Sequence, residues 1–273
     1  MPFAMNKPHL SAYHRTLSCN PQAKLAVRFV HSGAFFLSRF LRLFCPRKEM
    51  RTLFITTCGQ KGFENFMKVI LVNGSPHKKG TTFGALSEVA KTLEENGIET
   101  EIFWLGVKPI SGCLGCGGCK NSGRCVINDI VNEFIDKARD ADGFIFGTPV
   151  HYAAASGSLT SFMDRTFYGK TSVFMGKPAA TVVCCRRGGA SAAFDQINKY
   201  YPISGMPIVP SQYWNSVHGI GAEEAARDEE GMQTMRTLAR NMAWMLKCID
   251  LGKQNGITVP EREAVGKRTN FIR

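Results

Sequence analysis

Residues 112–125 form the stretch GCLGCGGCKNSGRC, which places four cysteines within fourteen positions. Cys113, Cys116 and Cys119 are separated by two residues each, and Cys125 follows after five more. Thiolates at such spacing can ligate a metal ion or an iron–sulfur cluster, pair as disulfides, or act as redox-active groups. Five glycines in the same stretch free the backbone to wrap around a bound group. Spacing alone leaves all of these chemistries open.

A second group of residues with binding chemistry follows the apolar run KVILVN (68–73). The loop NGSPHKKGTT (73–82) brings hydroxyls, cationic side chains and two glycines to the start of a helical pattern. Side chains of these types, together with the free N–H groups of a helix N-terminus, bind phosphate. The loop matches neither the Walker A pattern nor the dinucleotide pattern G-x-G-x-x-G. It predicts a phosphate site, and the alternative is a solvated turn in which a threonine caps the helix.

Two further loops contain residues suited to a flat ring system. GTPVHYAAASGSLTSFMDR (147–165) places the rigid Pro149 and the rings of His151 and Tyr152 after the apolar run GFIFGT. CCRRGGASAAF (184–194) adds a glycine-rich turn after another apolar run. Backbone amides on the edge of a ring and aromatic or apolar groups on its face would hold it. A phosphate site beside ring-binding loops predicts flavin mononucleotide (FMN), whereas the alternative for His151 and Tyr152 is local packing.

The elements that must position these loops form a regular alternation of strands and helices after Met67. Strand-length apolar runs lie at 68–73, 100–105, 143–148 and 179–185, with a shorter one at 206–210. Helical spacing covers 81–96, 128–139, 156–167, 190–200 and 223–250. This alternation predicts an α/β fold, a flavodoxin-like doubly wound sheet of five parallel strands in the order 2-1-3-4-5 with helices on both faces. Ligands of such sheets bind beside the carboxyl ends of the strands, where the loops described above lie.

Composition and charge limit the possible classes of protein. The 273 residues are 44% hydrophobic and 21% charged, which is typical of a folded chain, and no apolar run is long enough to span a membrane. The net charge is +12, but residues 1–66 contribute +8 of it and the rest of the chain only +4. We therefore expect no nucleic-acid partner and no integral membrane segment. With no convincing secretory signal, we also expect a cytoplasmic location, where thiols stay reduced.

The sequence divides into three parts. Residues 1–66 form a basic extension, interpreted as a targeting or membrane-surface segment, a disordered appendage, or translated sequence upstream of the authentic start. Residues 67–252 are predicted to form the flavodoxin-like FMN-binding domain, with the cysteine-rich loop at 112–125. Residues 253–273 are expected to be a tail that is either flexible or laid over a partner subunit.

Four sequence blocks together resemble the NADPH-dependent FMN reductase family of flavodoxin-like proteins: GSPHKKGTT, TPVHYAAASGSLTSFMDR, CRRGG and SQYWNSVHG (211–219). The resemblance covers about residues 67–250, and the cysteine pattern is similar to that of the iron–sulfur flavoprotein branch. It implies an FMN-dependent oxidoreductase that takes hydride from NAD(P)H and forms a homodimer or larger assembly. Electrons would pass to a [4Fe–4S] cluster, to a small acceptor such as a quinone or free flavin, or to a redox protein.

The same resemblance assigns residues to each group. The FMN phosphate would be held by Ser75, His77, Lys78, Gly80, Thr81 and Thr82. The isoalloxazine ring would be flanked by Pro149, Val150, His151, Tyr152, Arg186, Gly188 and Gly189. Relatives frequently carry a different aromatic pair where this chain has His-Tyr, a difference that can alter the choice of substrate. The C-x2-C-x2-C run also resembles the start of the bacterial ferredoxin pattern, and the cluster ligands would be Cys113, Cys116, Cys119 and Cys125.

Several alternatives stay open. The four loop thiols could instead bind zinc, act as redox-active groups, or be unligated remnants of the family pattern, while disulfides are not expected in a reducing compartment. The other cysteines, among them Cys184 and Cys185, are interpreted as packing residues. The chain as a whole could also be an FMN-binding electron carrier, or a redox-sensing module with a flavodoxin-like fold, without NAD(P)H turnover.

Overall fold

The structure is a computed structural model, and it describes residues 67–263. The predictions for the extension (1–66) and for the last ten residues of the tail lie outside the described residues. Within the described part, strands and helices alternate along the chain as the sequence predicts. The strands are β1 (Lys68–Asn73), β2 (Glu99–Trp104), β3 (Gly143–His151), β4 (Ala154–Ala155), β5 (Ala179–Cys185) and β6 (Ser216–His218).

Five of these strands form one parallel sheet in the order β2-β1-β3-β5-β6. Position by position this is the predicted order 2-1-3-4-5, so the doubly wound α/β architecture is confirmed. Residues 69–72 of β1 are completely buried, because helices cover both faces of the sheet. The two-residue strand β4, which the sequence analysis did not predict, pairs antiparallel with the end of β3.

The fifth parallel strand lies at a different place from the predicted one. The predicted run at 206–210 makes an isolated bridge between Ile208 and Ala179. Pro207 and Pro210 lack the N–H that a ladder of hydrogen bonds requires, so the pairing does not extend along this run. The chain leaves the sheet after this bridge and returns as β6, which pairs with the carboxyl end of β5. The edge strand is therefore formed by a later segment that leads straight towards the ligand-binding edge.

The predicted helices are present, and two of them are divided. A break near residue 199 divides the predicted helix 190–200. The predicted helix 223–250 is divided before residue 229, where Asp228 caps a new helix by accepting a hydrogen bond from the N–H of Gly231 at 2.9 Å. Between residues 67 and 263, the structure contains no helix with the length and apolar character that a bilayer crossing requires. The helices are α1 (Thr81–Glu95), α2 (Cys119–Ser122), α3 (Ile130–Ala138), α4 (Gly157–Lys170), α5 (Ala190–Asn198), α6 (Tyr200–Ser204), α7 (Ala222–Ala225) and α8 (Glu229–Gln254).

The hydrophobic core has two halves, one on each face of the sheet. Because successive residues of a strand point to opposite faces, Leu71 packs with α1 and α8, whereas Val72 packs with α3, α4 and α5. The half that contains Val72 is rich in phenylalanine, and the ring centroids of Phe134 and Phe162 lie 5.0 Å apart in an edge-to-face contact. These two layers hold the carboxyl ends of β1, β3 and β5 in fixed relative positions.

Candidate functional site

The carboxyl ends of β1, β3 and β5 surround a cleft of about 830 Å³. Four segments of the chain line it, and three of them are the loops that contain the predicted ligand-binding residues. The fourth segment follows β6 and was not predicted to take part. The lining consists of residue 75 and residues 77–82, 149–151, 184–186 and 219–222.

The loop after β1 is held in shape by two side chains that the sequence analysis missed. Asn73 accepts the N–H of Ser75 through Oδ1 at 3.1 Å and donates from Nδ2 to the carbonyl of Lys78 at 3.3 Å. The indole Nε1 of Trp104 donates to the Ser75 carbonyl at 2.9 Å, and the Lys78 ammonium lies 5.4 Å from the indole ring. The sequence contained one signal for these hydrogen bonds, since a polar Asn73 at the end of a buried apolar strand must find hydrogen-bond partners.

The N-terminus of α1 faces the cleft without a side-chain cap. The N-cap residue is Gly80, which has no side chain with which to accept the first N–H groups of the helix. Thr81 and Thr82 both line the cleft, and Thr81 Oγ1 donates to the Gly219 carbonyl at 3.4 Å. Thr82 Oγ1 is buried and has no oxygen or nitrogen hydrogen-bond partner within the described part of the chain, where its polar neighbour is the weakly accepting Cys184 thiol. A buried hydroxyl without a strong partner is unfavourable, and a hydrogen-bonding ligand in the cleft would satisfy it.

The charge of the cleft favours an anion. Lys78, Lys79 and Arg186 line it together with His77 and His151, and none of its seventeen lining residues is Asp or Glu. Positive side chains and an uncapped helix N-terminus act in the same direction on a negatively charged group. The lining of the cleft therefore favours an anionic ligand at the edge of the sheet where this fold binds its ligands.

The strand β3 continues beyond its predicted end and turns back as β4, which makes a short hairpin at the rim of the cleft. Pro149, Val150 and His151 line the cleft. Tyr152, at the tip of the hairpin, lies outside the lining and is fully exposed. Its φ of 59° is a left-handed conformation that is strained for a bulky residue. The structure thus brings three of the four predicted residues of this block to the cleft.

The end of β5 supplies an uncharged part of the wall. Burial raises the pKa of Cys184 to about 12 and also raises the pKa of Cys185, so both thiols are neutral near pH 7. Both are buried, as expected of packing residues, and both also line the cleft. Gly188 and Gly189 lie outside the lining. A Cβ on Gly189, where φ is 89°, would lie 2.8 Å from Val150 Cγ1, so this glycine supports the neighbouring hairpin.

Residues 219–222 close the fourth side of the cleft. At Gly219 φ is 150°, and a Cβ there would lie 2.7 Å from the backbone nitrogen of Ala225, so only glycine fits. The sequence contained a signal for this segment in HGIGAEE (218–224), where two glycines precede a helix. The same arrangement predicted the phosphate site after β1. Because the fifth strand was predicted at 206–210, however, residues 218–224 were not expected to follow a strand of the sheet and reach the cleft.

The four cysteines of residues 112–125 line a second cavity, of about 400 Å³, on the loop that follows β2; we call it the cysteine cavity. Cys113 and Cys116 are exposed, whereas Cys119 and Cys125 are partly buried. Among residues 67–263, no three His, Cys, Asp or Glu side chains converge closely enough to hold a single metal ion. Three glycines of the loop have positive φ: Gly115, Gly117 and Gly123.

Residues 67–220 match the sequence profile of the NADPH-dependent FMN reductase family. This range is more than half of the chain and includes three of the four cleft segments and the cysteine cavity. The chain belongs to the NADPH-dependent FMN reductase family. The resemblance described above is therefore confirmed, and the chain is an FMN-binding oxidoreductase.

Two curated relatives of this reductase are iron–sulfur flavoproteins of archaea. The protein from Methanocaldococcus jannaschii is 33% identical over 195 residues, which cover 67% of this chain and 99% of the relative. The protein from Methanosarcina thermophila is 31% identical over 190 residues, which cover 67% of this chain and 97% of the relative. The similarity therefore extends over nearly the whole length of both relatives.

Solved structures share the fold of this reductase at much lower identity. An NAD(P)H:quinone oxidoreductase from Methanothermobacter marburgensis has a TM-score of 0.51 at 17% identity, covering 65% of this chain and 97% of the other. RosB with a bound riboflavin phosphate intermediate has a TM-score of 0.54 at 16% identity, covering 76% of this chain and 94% of the other. At such identities the likeness concerns the fold alone.

Proposed function

We propose that this reductase is an iron–sulfur flavoprotein that oxidises NAD(P)H. It would bind FMN in the cleft and a [4Fe–4S] cluster in the cysteine cavity, and would pass electrons to that cluster or to a small acceptor such as a quinone or flavin. The observation that carries the FMN part of the proposal is the buried hydroxyl of Thr82, which has no oxygen or nitrogen partner among residues 67–263 and only the neutral Cys184 thiol as a neighbour. It lies at an uncapped helix N-terminus in a cationic cleft, where a phosphate would satisfy it.

The residues around the cleft divide the FMN site into two parts. Ser75, Thr82 and the first N–H groups of α1 would hold the phosphate, and Lys78 would offset its charge. Pro149, Val150, His151 and Arg186 border the remaining space and would flank the ring. When bound, FMN supplies the exchange between hydride from NAD(P)H and single electrons. The neutral thiols at the end of β5 keep that part of the wall uncharged.

The cysteine cavity fits a cluster by its donor set. Four thiols surround one cavity, and two N–H groups of the chain are directed at sulfur. The N–H of Gly115 lies 3.5 Å from Cys113 Sγ, and Nε of Arg165 lies 3.2 Å from Cys125 Sγ. Such donors stabilise the negative charge of thiolate ligands, and the group bound there would accept one electron at a time. The names of the archaeal relatives support the same assignment.

The experiment that tests the proposal is anaerobic expression of the full-length protein, followed by assays of flavin, iron, acid-labile sulfide and NAD(P)H oxidation. We expect one FMN and about four irons per chain, as a single [4Fe–4S] cluster requires. We also expect NAD(P)H to be consumed when a quinone is supplied as acceptor. Size-exclusion chromatography of the same preparation tests the predicted homo-oligomer.

Each other outcome supports a different interpretation. Flavin and iron without NAD(P)H oxidation would make the protein an electron carrier. Flavin with NAD(P)H oxidation but without iron would leave a plain FMN reductase, and the loop thiols would need another explanation. Failure to retain flavin after reconstitution would overturn the proposal and leave a redox-sensing module.

A further inference from the structure

Arg165, on α4, is an unusual buried group in the wall of the cysteine cavity. Only 2% of its surface is exposed, and it heads the largest fully buried side chains among residues 67–263. A guanidinium is always charged, so burying it is unfavourable unless its N–H groups are paired. The identity of those partners therefore indicates the role of the residue.

The terminal nitrogens of Arg165 bind oxygen. Nη1 and Nη2 donate to the two carboxylate oxygens of Asp129 at 2.7 and 2.8 Å, a bidentate pair. Nη1 also donates to the carbonyl of Ser111 at 3.3 Å, and Nη2 to the carbonyl of Ile127 at 3.0 Å. These contacts tie the start and the end of the cysteine loop to α4, and they offset the charge of the guanidinium.

The remaining N–H of Arg165 binds sulfur. Its Nε lies 3.2 Å from Cys125 Sγ. A neutral thiol is a weak acceptor, whereas a thiolate accepts a strong, charge-assisted hydrogen bond. The oxygen contacts already meet the structural need of the buried charge, so the bond to sulfur is an additional contact directed at Cys125.

Cys125 is fixed through its backbone as well. The buried side chain of Asn132 accepts the Cys125 N–H at 2.9 Å and donates to the Cys125 carbonyl at 2.9 Å. Cys113, by contrast, is exposed and receives a long N–H contact from Gly115 at 3.5 Å. One end of the cysteine loop is therefore oriented by the fold, while the glycine-rich end has freedom to close around a bound group.

We propose that Arg165 is a positioning residue of the iron–sulfur site. It orients Cys125 as a ligand before the cluster binds, and it raises the midpoint potential of the cluster. The inference rests on the proposed function, which puts a cluster in this cavity. The step concerned adds one electron, from reduced flavin or from dithionite, and makes or breaks no bond. A hydrogen bond and a positive charge next to Cys125 Sγ stabilise the more negative, reduced state. The carboxylate of Asp129 weakens this effect because it offsets the guanidinium charge.

Two substitutions should move the potential in opposite directions. Arg165→Gln removes the positive charge and should lower both the midpoint potential and the amount of iron retained. Asp129→Asn keeps one oxygen for the cap of α3 and for Nη2 of Arg165, but it replaces the acceptor of Nη1 by a donor and removes the negative charge, and it should raise the midpoint potential. The matched control is Arg124→Gln, next to Cys125 in sequence, since the Arg124 guanidinium pairs with the exposed Asp136 at 2.6 Å. This control should keep the wild-type potential.

The measurement is a redox titration of the full-length holoprotein followed by electron paramagnetic resonance, with an iron assay of each variant. Opposite shifts support the inference. Shifts in the same direction, or iron-loaded variants with unchanged potentials, would overturn it and leave Arg165 a purely structural residue. If Arg165→Gln does not fold, the sign of the Asp129→Asn shift decides alone. Wild-type protein without iron would overturn the cluster assignment and this inference together, whereas iron with unshifted variants overturns this inference alone.

Discussion

The cleft lies at the carboxyl ends of β1, β3 and β5, whereas the cysteine cavity lies between the loop after β2 and α4, and the two are built differently. The cleft is closely packed, and a Cβ on Gly74 or Gly147 would meet neighbouring atoms at 2.9 Å or less. The loop after β1 is held by hydrogen bonds with Asn73 and Trp104. The cysteine cavity is lined by one glycine-rich loop with two exposed thiols and by Arg165 and Tyr168 of α4. The difference indicates that the fold preorganises the cleft, whereas in the cavity it fixes Cys125 and leaves the glycine-rich end to close around a bound group.

The largest expected effect is a complete loss of iron binding without any loss of FMN affinity. Replacing all four loop cysteines by serine should abolish iron binding, because a hydroxyl does not replace a thiolate ligand, while FMN affinity stays unchanged. Iron and sulfide assays together with flavin fluorescence titration measure both quantities. Cys248→Ser, which changes an exposed thiol on α8, is the control and should keep all of the iron. Loss of FMN from the four-cysteine variant would show that the two sites are not independent.

A smaller effect tests how far the cleft is preorganised. Thr82→Val keeps the shape of the side chain but removes its buried hydroxyl, so FMN affinity should fall about 10- to 100-fold. The FMN-free protein should become more stable by at most about 1 kcal/mol, because a buried hydroxyl with only a weak sulfur partner is lost. Flavin fluorescence titration and urea unfolding give the two numbers.

The control for this pair of effects is Thr166→Val. The hydroxyl of Thr166 is likewise buried without an oxygen or nitrogen partner in the described residues, but Thr166 lies outside the cleft lining. This variant should gain a similar stability and keep the wild-type FMN affinity. Equal losses of affinity in both variants would mean that the Thr82 hydroxyl does not bind the phosphate.

The two regions also differ in how much of them the sequence could predict. Strand patterns determine which loops meet at the carboxyl edge, and so Ser75, Thr82 and His151 were predicted to lie there. Trp104 was missed, because its hydrogen bond to Ser75 joins positions 29 residues apart and leaves no local pattern. Arg165 was missed for the same reason, since only packing shows that a charged helix residue is buried against sulfur.

A pH effect tests the contrast between the buried and exposed thiols. The pKa of Cys184 in the folded chain, about 12, lies above its ordinary value of about 8.5, because burial disfavours the thiolate. The folded state therefore holds this proton more tightly, and its stabilising effect is complete below pH 8.5 and is lost as pH rises towards 12. Cys184→Ala should flatten the fall of unfolding free energy between pH 9 and 11 by at most about 1.4 kcal/mol per pH unit.

Urea unfolding at a series of pH values measures this slope. The absolute stability of Cys184→Ala will also fall, since a buried side chain is shortened, but only the slope tests the ionisation. Cys248→Ala, at an exposed position, is the control and should keep the wild-type slope. An unchanged slope in Cys184→Ala would mean that this thiol does not ionise differently in the folded and unfolded chains.

The smallest expected effect concerns Tyr152, the exposed residue at the tip of the hairpin on the rim of the cleft. Asn tolerates the left-handed conformation better than Tyr, so Tyr152→Asn should stabilise the protein by about 0.5–1 kcal/mol. Strain retained at the rim of a binding site suggests a functional contact, and we expect FMN affinity to fall several-fold in the same variant. Tyr152→Phe keeps both the ring and the strain and should match wild type in both measurements. A gain in stability with unchanged FMN affinity would show that Tyr152 does not contact the flavin, and that the ordered part of the cleft ends at His151.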